Sequence, residues 1–283
     1  MQQIYLDNAA TTPVRPEVEE VMQPYFCEKY GNPSGIYKMA SECRQALETV
    51  RKQIGETLKV SAEEIYFTSG GTESDNWAIK STAQRLKEKG KHIITSKIEH
   101  HAVLNSCAYL ETQGFEVTYL DVDERGCVRF DALQRAIRKD TILISIMYAN
   151  NEVGTIQPID VKRENIHLLS ASAHKFNGPK GVGFLYIDKR VPVMSYIHGG
   201  KQERNHRAGT ENVAGIVGMG KAAEIAFAAQ KEREKRVQQM RDYLMKKLCE
   251  EIPYCRINGS VARRLPGNCN VSFQFIEGNE LLL

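Results

Sequence analysis

The sequence lacks any run of about 18 apolar residues, so none of its 283 residues reads as part of a membrane-crossing helix. It lacks a basic-then-apolar leader: Met1 runs straight into Gln2-Gln3-Ile4-Tyr5-Leu6-Asp7, and a cytoplasmic protein is expected. It lacks an excess of charge of one sign. Lys and Arg number 38 against 35 Asp and Glu, a formal net charge of +3, which favours neither nucleic acid nor an anionic membrane surface as partner. It also lacks a CxxC pair. The seven cysteines (Cys27, Cys43, Cys107, Cys127, Cys249, Cys255 and Cys269) are scattered and odd in number. That argues against a disulfide framework or a zinc site, and for small, partly buried hydrophobes. The glycine stretch at 67–74 matches neither GxGxxG nor the Walker pattern, which weakens dinucleotide and nucleoside-triphosphate readings.

What the sequence does have is alternation. Short apolar runs at 65–68, 92–96, 116–120, 141–148, 166–171 and 183–187 read as strands, and most are separated by segments of helical period at 72–89, 102–113 and 131–138. Upstream, Pro16 and Glu17 open a helix, and Ser41 can cap the next, which carries Ala46, Leu47, Val50, Ile54 and Leu58 at helical spacing. A long helical pattern follows from 212 to 251, and 270–275 reads as a late strand. The expected fold class is α/β: a mainly parallel sheet with helices on both faces and ligands at the carboxyl ends of the strands. The 155–165 segment is short for a parallel crossover, which takes a dozen residues or more.

Four strand ends carry chemistry. Ser69-Gly70-Gly71-Thr72-Glu73-Ser74 sits between strand and helix, where backbone N–H groups, the Thr72 hydroxyl and the helix dipole can cup a phosphate; a plain glycine turn reads equally well. Glu99-His100-His101 follows the second strand, and an imidazole there can stack on a flat ring, move protons or simply cap a helix. Asn150-Asn151-Glu152 ends the fourth and is either a ligand contact or a turn. Ser172-Ala173-His174-Lys175 closes the fifth, and a lysine at the end of a buried strand loses hydration, which lowers its pKa and makes the amine nucleophilic. A segment at 198–210, rich in Gly and Arg, is either a second phosphate-binding element or a basic loop. A flat phosphorylated aldehyde held by a lysine, pyridoxal 5'-phosphate (PLP), uses all four strand ends.

These motifs, with Tyr5-Leu6-Asp7-Asn8-Ala9-Ala10-Thr11-Thr12-Pro13 and Arg207-Ala208-Gly209-Thr210-Glu211-Asn212, resemble the class V, fold-type I PLP enzymes, specifically the NifS/IscS-type cysteine desulfurases. The resemblance implies a seven-stranded-type sheet in a large domain over 14–252. A small C-terminal α+β domain, incomplete here, would be built from 1–13 and 253–283. It implies that Lys175 is the Schiff-base lysine, that Gly71, Thr72, Ser172 and His174 hold the phosphate, that His100 stacks on the ring and moves protons, and that Asn151 lies beside the ring. Thr210 would reach the cofactor of a partner subunit in a homodimer. The implied reaction takes L-cysteine to L-alanine and an enzyme persulfide, with an iron–sulfur scaffold or other sulfur acceptor as partner. Selenocysteine lyase, another class V activity, or a truncated PLP-binding protein without turnover are the alternatives; a nucleotide-binding α/β protein is the rival from another class.

Two departures from the family pattern stand out. The family's His-x-Asp-Ala-x-Gln strand, whose Asp meets the pyridine nitrogen, has no counterpart between Asn151 and Lys175, where Gln157-Pro158-Ile159-Asp160-Val161 joins the flanks. The family's nucleophilic cysteine and carboxylate-binding arginine are expected beyond the segment matching Glu277–Leu283, and none of the seven cysteines matches the nucleophile.

Overall fold

In the computed structural model, residues 4–159, 165–228 and 230–281 are described. The chain opens with α1 (Pro16–Met22), which carries its proline in the first turn, and α2 (Lys38–Leu58). Leu47, Val50 and Ile54 lie on the buried side of α2, as their spacing predicts. Ser41 does not cap this helix. It lies inside, because the helix begins at Lys38 behind an extended Tyr37 with no side-chain cap.

Then β1 (Ile65–Thr68) runs into α3, an unbroken helical stretch of Gly71–Asn76, a π-helical Trp77–Ser81 and Thr82–Leu86. The alternation continues through β2 (His92–Ser96), α4 (His101–Thr112), β3 (Glu116–Leu120), α5 (Phe130–Ala136) and β4 (Thr141–Ser145). After it come β5 (Leu168–Ser172) and β6 (Gly183–Ile187). The expected long helix is present as α6 (Val213–Ala228) and α7 (Gln230–Glu251). Last come β7 (Cys255–Ile257) and β8 (Val271–Phe273), paired antiparallel. No helix among the described residues is long and apolar enough to cross a membrane.

The α/β class holds, with one difference from a continuous parallel sheet. Among the described residues the strands form two three-stranded blocks. One is parallel, in the order β3-β2-β4; the other runs β1-β6-β5 with β6 antiparallel to both neighbours. The reversal of β6 has a local cause: residues 173–182 form a ten-residue loop with a single helical turn at Ala173–Lys175, shorter than the dozen or more residues a parallel crossover takes. The break falls between β4 and β5, the place where the sequence is one strand–helix–strand unit short. Residues 160–164 of that junction, including Asp160, lie outside the described residues.

Apolar burial fixes the layers. One core joins Leu47, Val50 and Ile54 of α2 to Ile65 and Phe67 of β1, Phe184 and Tyr186 of β6, and Ile216 and Met219 of α6. The opposite face of that sheet is covered from α3, where Trp77 packs with Leu185 and Ile187 and donates its indole N–H to Met194 O at 3.0 Å. The parallel block has its own core of Ile79, Ala83, Ile93, Val103, Cys107, Leu110 and Phe115. The stretch from α3 thus serves both blocks, and carries the glycine turn at its head.

A candidate cofactor site built on a glycine cup and a strand-end lysine

At the end of β1 the chain turns through Ser69-Gly70 into α3. Gly70 has φ +143°, a region in which a side chain is strained, so glycine is required there. A β-carbon on Gly70 or Gly71 would meet Ser172 at 3.6 and 3.5 Å, so the end of β5 forms the wall of the turn. The N–H groups of Gly71 and Thr72, first in the helix, have no intrahelical acceptor. Glu73 braces the turn from behind: it accepts from Ser69 N at 2.9 Å and holds Arg207 in a two-pronged ion pair at 2.7 and 3.0 Å. Burial alone would raise the Glu73 pKa, but the Arg207 and Ser69 contacts outweigh it and hold it low.

Beyond Ser172, the Ala173–Lys175 turn is clamped by the N-terminal segment. Thr12 N and Oγ1 both donate to His174 O, at 2.9 and 2.8 Å, and the His174 ring meets Thr11 Oγ1 through Nδ1 at 3.1 Å, while Nε2 makes no hydrogen bond among the described residues. The Lys175 ammonium is parked on the carbonyls of Ala9 and Ala10, at 3.0 Å for the latter. Burial lowers the Lys175 pKa, with Asp7 opposing. Burial also lowers His174, followed by the nearby Lys175 and Lys180 charges. An amine with a depressed pKa, held by two backbone carbonyls, is a suitable nucleophile for an aldehyde.

The second cluster lies at the ends of β2 and β4. Glu99 ties the two together, accepting from Ser96 Oγ at 2.6 Å and from Met147 N at 2.9 Å. Burial pushes its carboxyl up to about 6 despite these bonds, with Asp75 adding to the rise. His100 is exposed and caps α4, its Nδ1 accepting from Ala102 N at 3.0 Å. Asn150 is spent on the loop, donating to Ile98 O and accepting from Glu152 N and Val153 N. Asn151 has its backbone carbonyl held by Asn268, and its side chain makes no hydrogen bond among the described residues.

A folded-state pKa above the ordinary 4.5 means that Glu99 adds stability at low pH that is lost as pH rises through about 6. The expected loss is about 2 kcal/mol. Denaturant unfolding between pH 4.5 and 7 should show it, and Glu99→Gln should flatten that slope; parallel pH dependences in the two proteins would contradict it.

Gly71, Thr72 and Ser172 therefore converge, with His174 and Lys175 on the turn that follows Ser172, while His100 and Asn151 belong to the second cluster. Thr210 is exposed and shares a small cavity of about 130 Å³ with Thr68, Ser69 and Arg207 on the near side of the cup. The 198–210 segment is not a free basic loop. Arg207 is engaged by Glu73, Arg204 donates to Ile65 O and lies over the Tyr66 ring, and Glu203 is buried on Arg51. Sequence reasoning missed Glu73, Glu203 and Asp75. Only the acidic first turn of α3 hinted at Glu73.

The open N–H groups, the Ser172 wall and the low-pKa amine fit PLP, and fold and site together define an α/β protein of the kind that binds a phosphorylated aldehyde through lysine. The chain belongs to the class V aminotransferase family, whose members are PLP-dependent: the profile described as "Aminotransferase class-V" matches residues 4–160 and 157–283. Its two segments meet at the junction where the sheet is split. Cysteine desulfurase IscS of Methanosarcina thermophila is 53% identical over 307 aligned residues, covering 99% of this chain and 76% of that protein. Cysteine desulfurase IscS of Dictyoglomus turgidum is 50% identical over 309, covering 100% and 78%. Both spans exceed the 283 residues here, so these relatives carry residues that this chain lacks. Among solved structures, a NifS-like protein matches with a TM-score of 0.95 at 40% identity, covering 99% of this chain and 84% of that one. A structure described as SspA in complex with cysteine matches at 0.85 and 37%, covering 96% and 84%.

Proposed function

We propose that the chain is a PLP-dependent cysteine desulfurase, and that Lys175 is the lysine that takes the cofactor. The observation that carries the site assignment is the approach of Ser172, three residues before Lys175, to the glycine cup. In this reading Gly71 and Thr72 offer backbone N–H groups to the phosphate, Ser172 adds its hydroxyl, and His174 offers Nε2. Lys175, now on the Ala9 and Ala10 carbonyls, is the amine that would hold the group through its aldehyde carbon, the aldehyde oxygen leaving as water. Bound PLP supplies the electron sink that lets a proton leave the substrate α-carbon. His100 and Lys175 are the groups that hold and move that proton, and Asn151 orients the ring.

Sulfur then passes from L-cysteine to an enzyme thiol, giving L-alanine and a persulfide. By the family resemblance that thiol belongs to a cysteine beyond residue 283. Thr210, exposed beside the cup, reaches a second copy's phosphate in a homodimer. The sulfur serves an iron–sulfur scaffold or a thiolation acceptor, and the unpaired state of all seven cysteines suits a cytoplasmic setting.

The split sheet favours a second reading, a PLP-binding protein without turnover. Alanine release from L-cysteine and from L-selenocysteine, measured on PLP-loaded protein, separates the two. The desulfurase reading predicts alanine from cysteine; a yellow protein that releases none from either substrate contradicts it.

A further inference from the structure

The pyridine nitrogen of PLP works as an electron sink when an acid holds its proton. We infer that Asp75 is that acid in this chain, standing in the gap that the split sheet leaves beside β5. The inference rests on the PLP reading above.

Ser170 and Ser172 lie on one face of β5, about 7 Å apart. Ser172 meets the glycine cup, where the phosphate end belongs, and Ser170 is set back from it along the strand. The Ser170 hydroxyl donates to Asp75 Oδ1. Asp75 is four residues from Gly71 on the same helix, one turn along from the cup. Strand and helix thus run back from the phosphate position side by side, and each places a polar group one ring's length behind it. Among the described residues, hydrogen bonds from β5 side chains reach one carboxylate, Asp75. Among the described residues its Oδ2 makes no hydrogen bond, which offers it to a ring N–H.

Of the other groups nearby, Glu99 accepts from Ser96 and Met147 on Oε1 and so is fixed to the ends of β2 and β4, not to β5, and His100 caps α4 through Nδ1. Burial raises the Asp75 pKa, while Ser170 and the neighbouring His100 lower it. A carboxyl in that state gains by facing a cationic ring N–H, because the ion pair relieves the cost of burying its charge. On the β4 side, the strand Thr141–Ser145 itself carries no acid, and Glu99 is bonded to Met147, just beyond the strand's end.

The test loads wild type and Asp75→Asn with PLP labelled with nitrogen-15 in the ring and records the ring-nitrogen resonance at neutral pH, with PLP affinity from absorbance titration. Expected are a pyridinium resonance in wild type, a neutral-pyridine resonance in Asp75→Asn, and an affinity about ten- to a hundredfold weaker for the variant. A pyridinium resonance that persists in Asp75→Asn overturns the assignment, as does a neutral ring in wild type. Should Asp75→Asn fail to fold, Ser170→Ala probes the same contact: a few-fold weaker affinity supports the inference and unchanged affinity overturns it. A wild type that forms no lysine-linked PLP band overturns the functional reading itself, a result distinct from all of these.

Discussion

Lys175→Ala is expected to purify without the lysine-linked PLP absorbance band and to lose alanine release from cysteine by at least about a thousandfold. The effect should be this large because the proposed function gives Lys175 two tasks at one position, to bond the cofactor and to move the substrate proton. The fold gives it the means for both. It follows β5 by three residues, its amine is held by two backbone carbonyls that are easily left, and burial keeps its pKa below the ordinary lysine value. Lys175→Arg keeps the charge but offers no amine for the aldehyde and should fail equally. A variant that keeps both band and turnover would remove Lys175 from the account.

Glu203→Gln and Arg51→Met are each expected to destabilise the fold by about 3–5 kcal/mol, the range for breaking one side of a buried ion pair. The Arg51 and Glu203 side chains are only 5% and 3% exposed. Two bonds of 2.9 Å join them, Arg51 also donates to Ile65 O at 2.6 Å, and Phe67 N donates to Glu203 at 2.9 Å. Burial disfavours the Arg51 charge, yet the bond and charge of Glu203 more than offset it and raise the Arg51 pKa. Glu203, Arg204 and Asn205 all have positive φ, so the pair also holds a strained turn in place. Because this turn leads to Arg207 and Thr210, the loss should loosen the cup as well as lower the denaturant midpoint. The double variant Arg51→Met/Glu203→Leu should recover part of the stability, since no lone charge stays buried. Single variants within about 0.5 kcal/mol of wild type would show that the pair is dispensable.

The strands at 65–68, 92–96, 116–120 and 183–187 were legible to the residue because each is a short apolar run closed by local turn chemistry. The cup and the lysine were legible for the same reason, since each is a contiguous motif. The bracing of the site was not. Glu203 meets Arg51 across 152 residues of sequence, Arg207 meets Glu73 across 134, and Ser170 meets Asp75 across 95. No local pattern marks such pairs, because what selects them is the packing of α2, α3 and β5 against one another. The Gly/Arg segment was left between a phosphate-binding element and a basic loop for a related reason: Glu73, which pairs Arg207, and Ile65 O and the Tyr66 ring, which take Arg204, all come from distant parts of the sequence. The short junction after Asn151, by contrast, was visible as too few residues for a crossover, and it appears in the fold as a sheet in two blocks.

The most direct measurement is the absorbance of the purified, PLP-loaded protein before and after borohydride, followed by peptide mass mapping. The account predicts a lysine-linked band that borohydride abolishes, with reduced PLP fixed on the peptide containing Lys175. A colourless protein, or label on any other lysine, would contradict it.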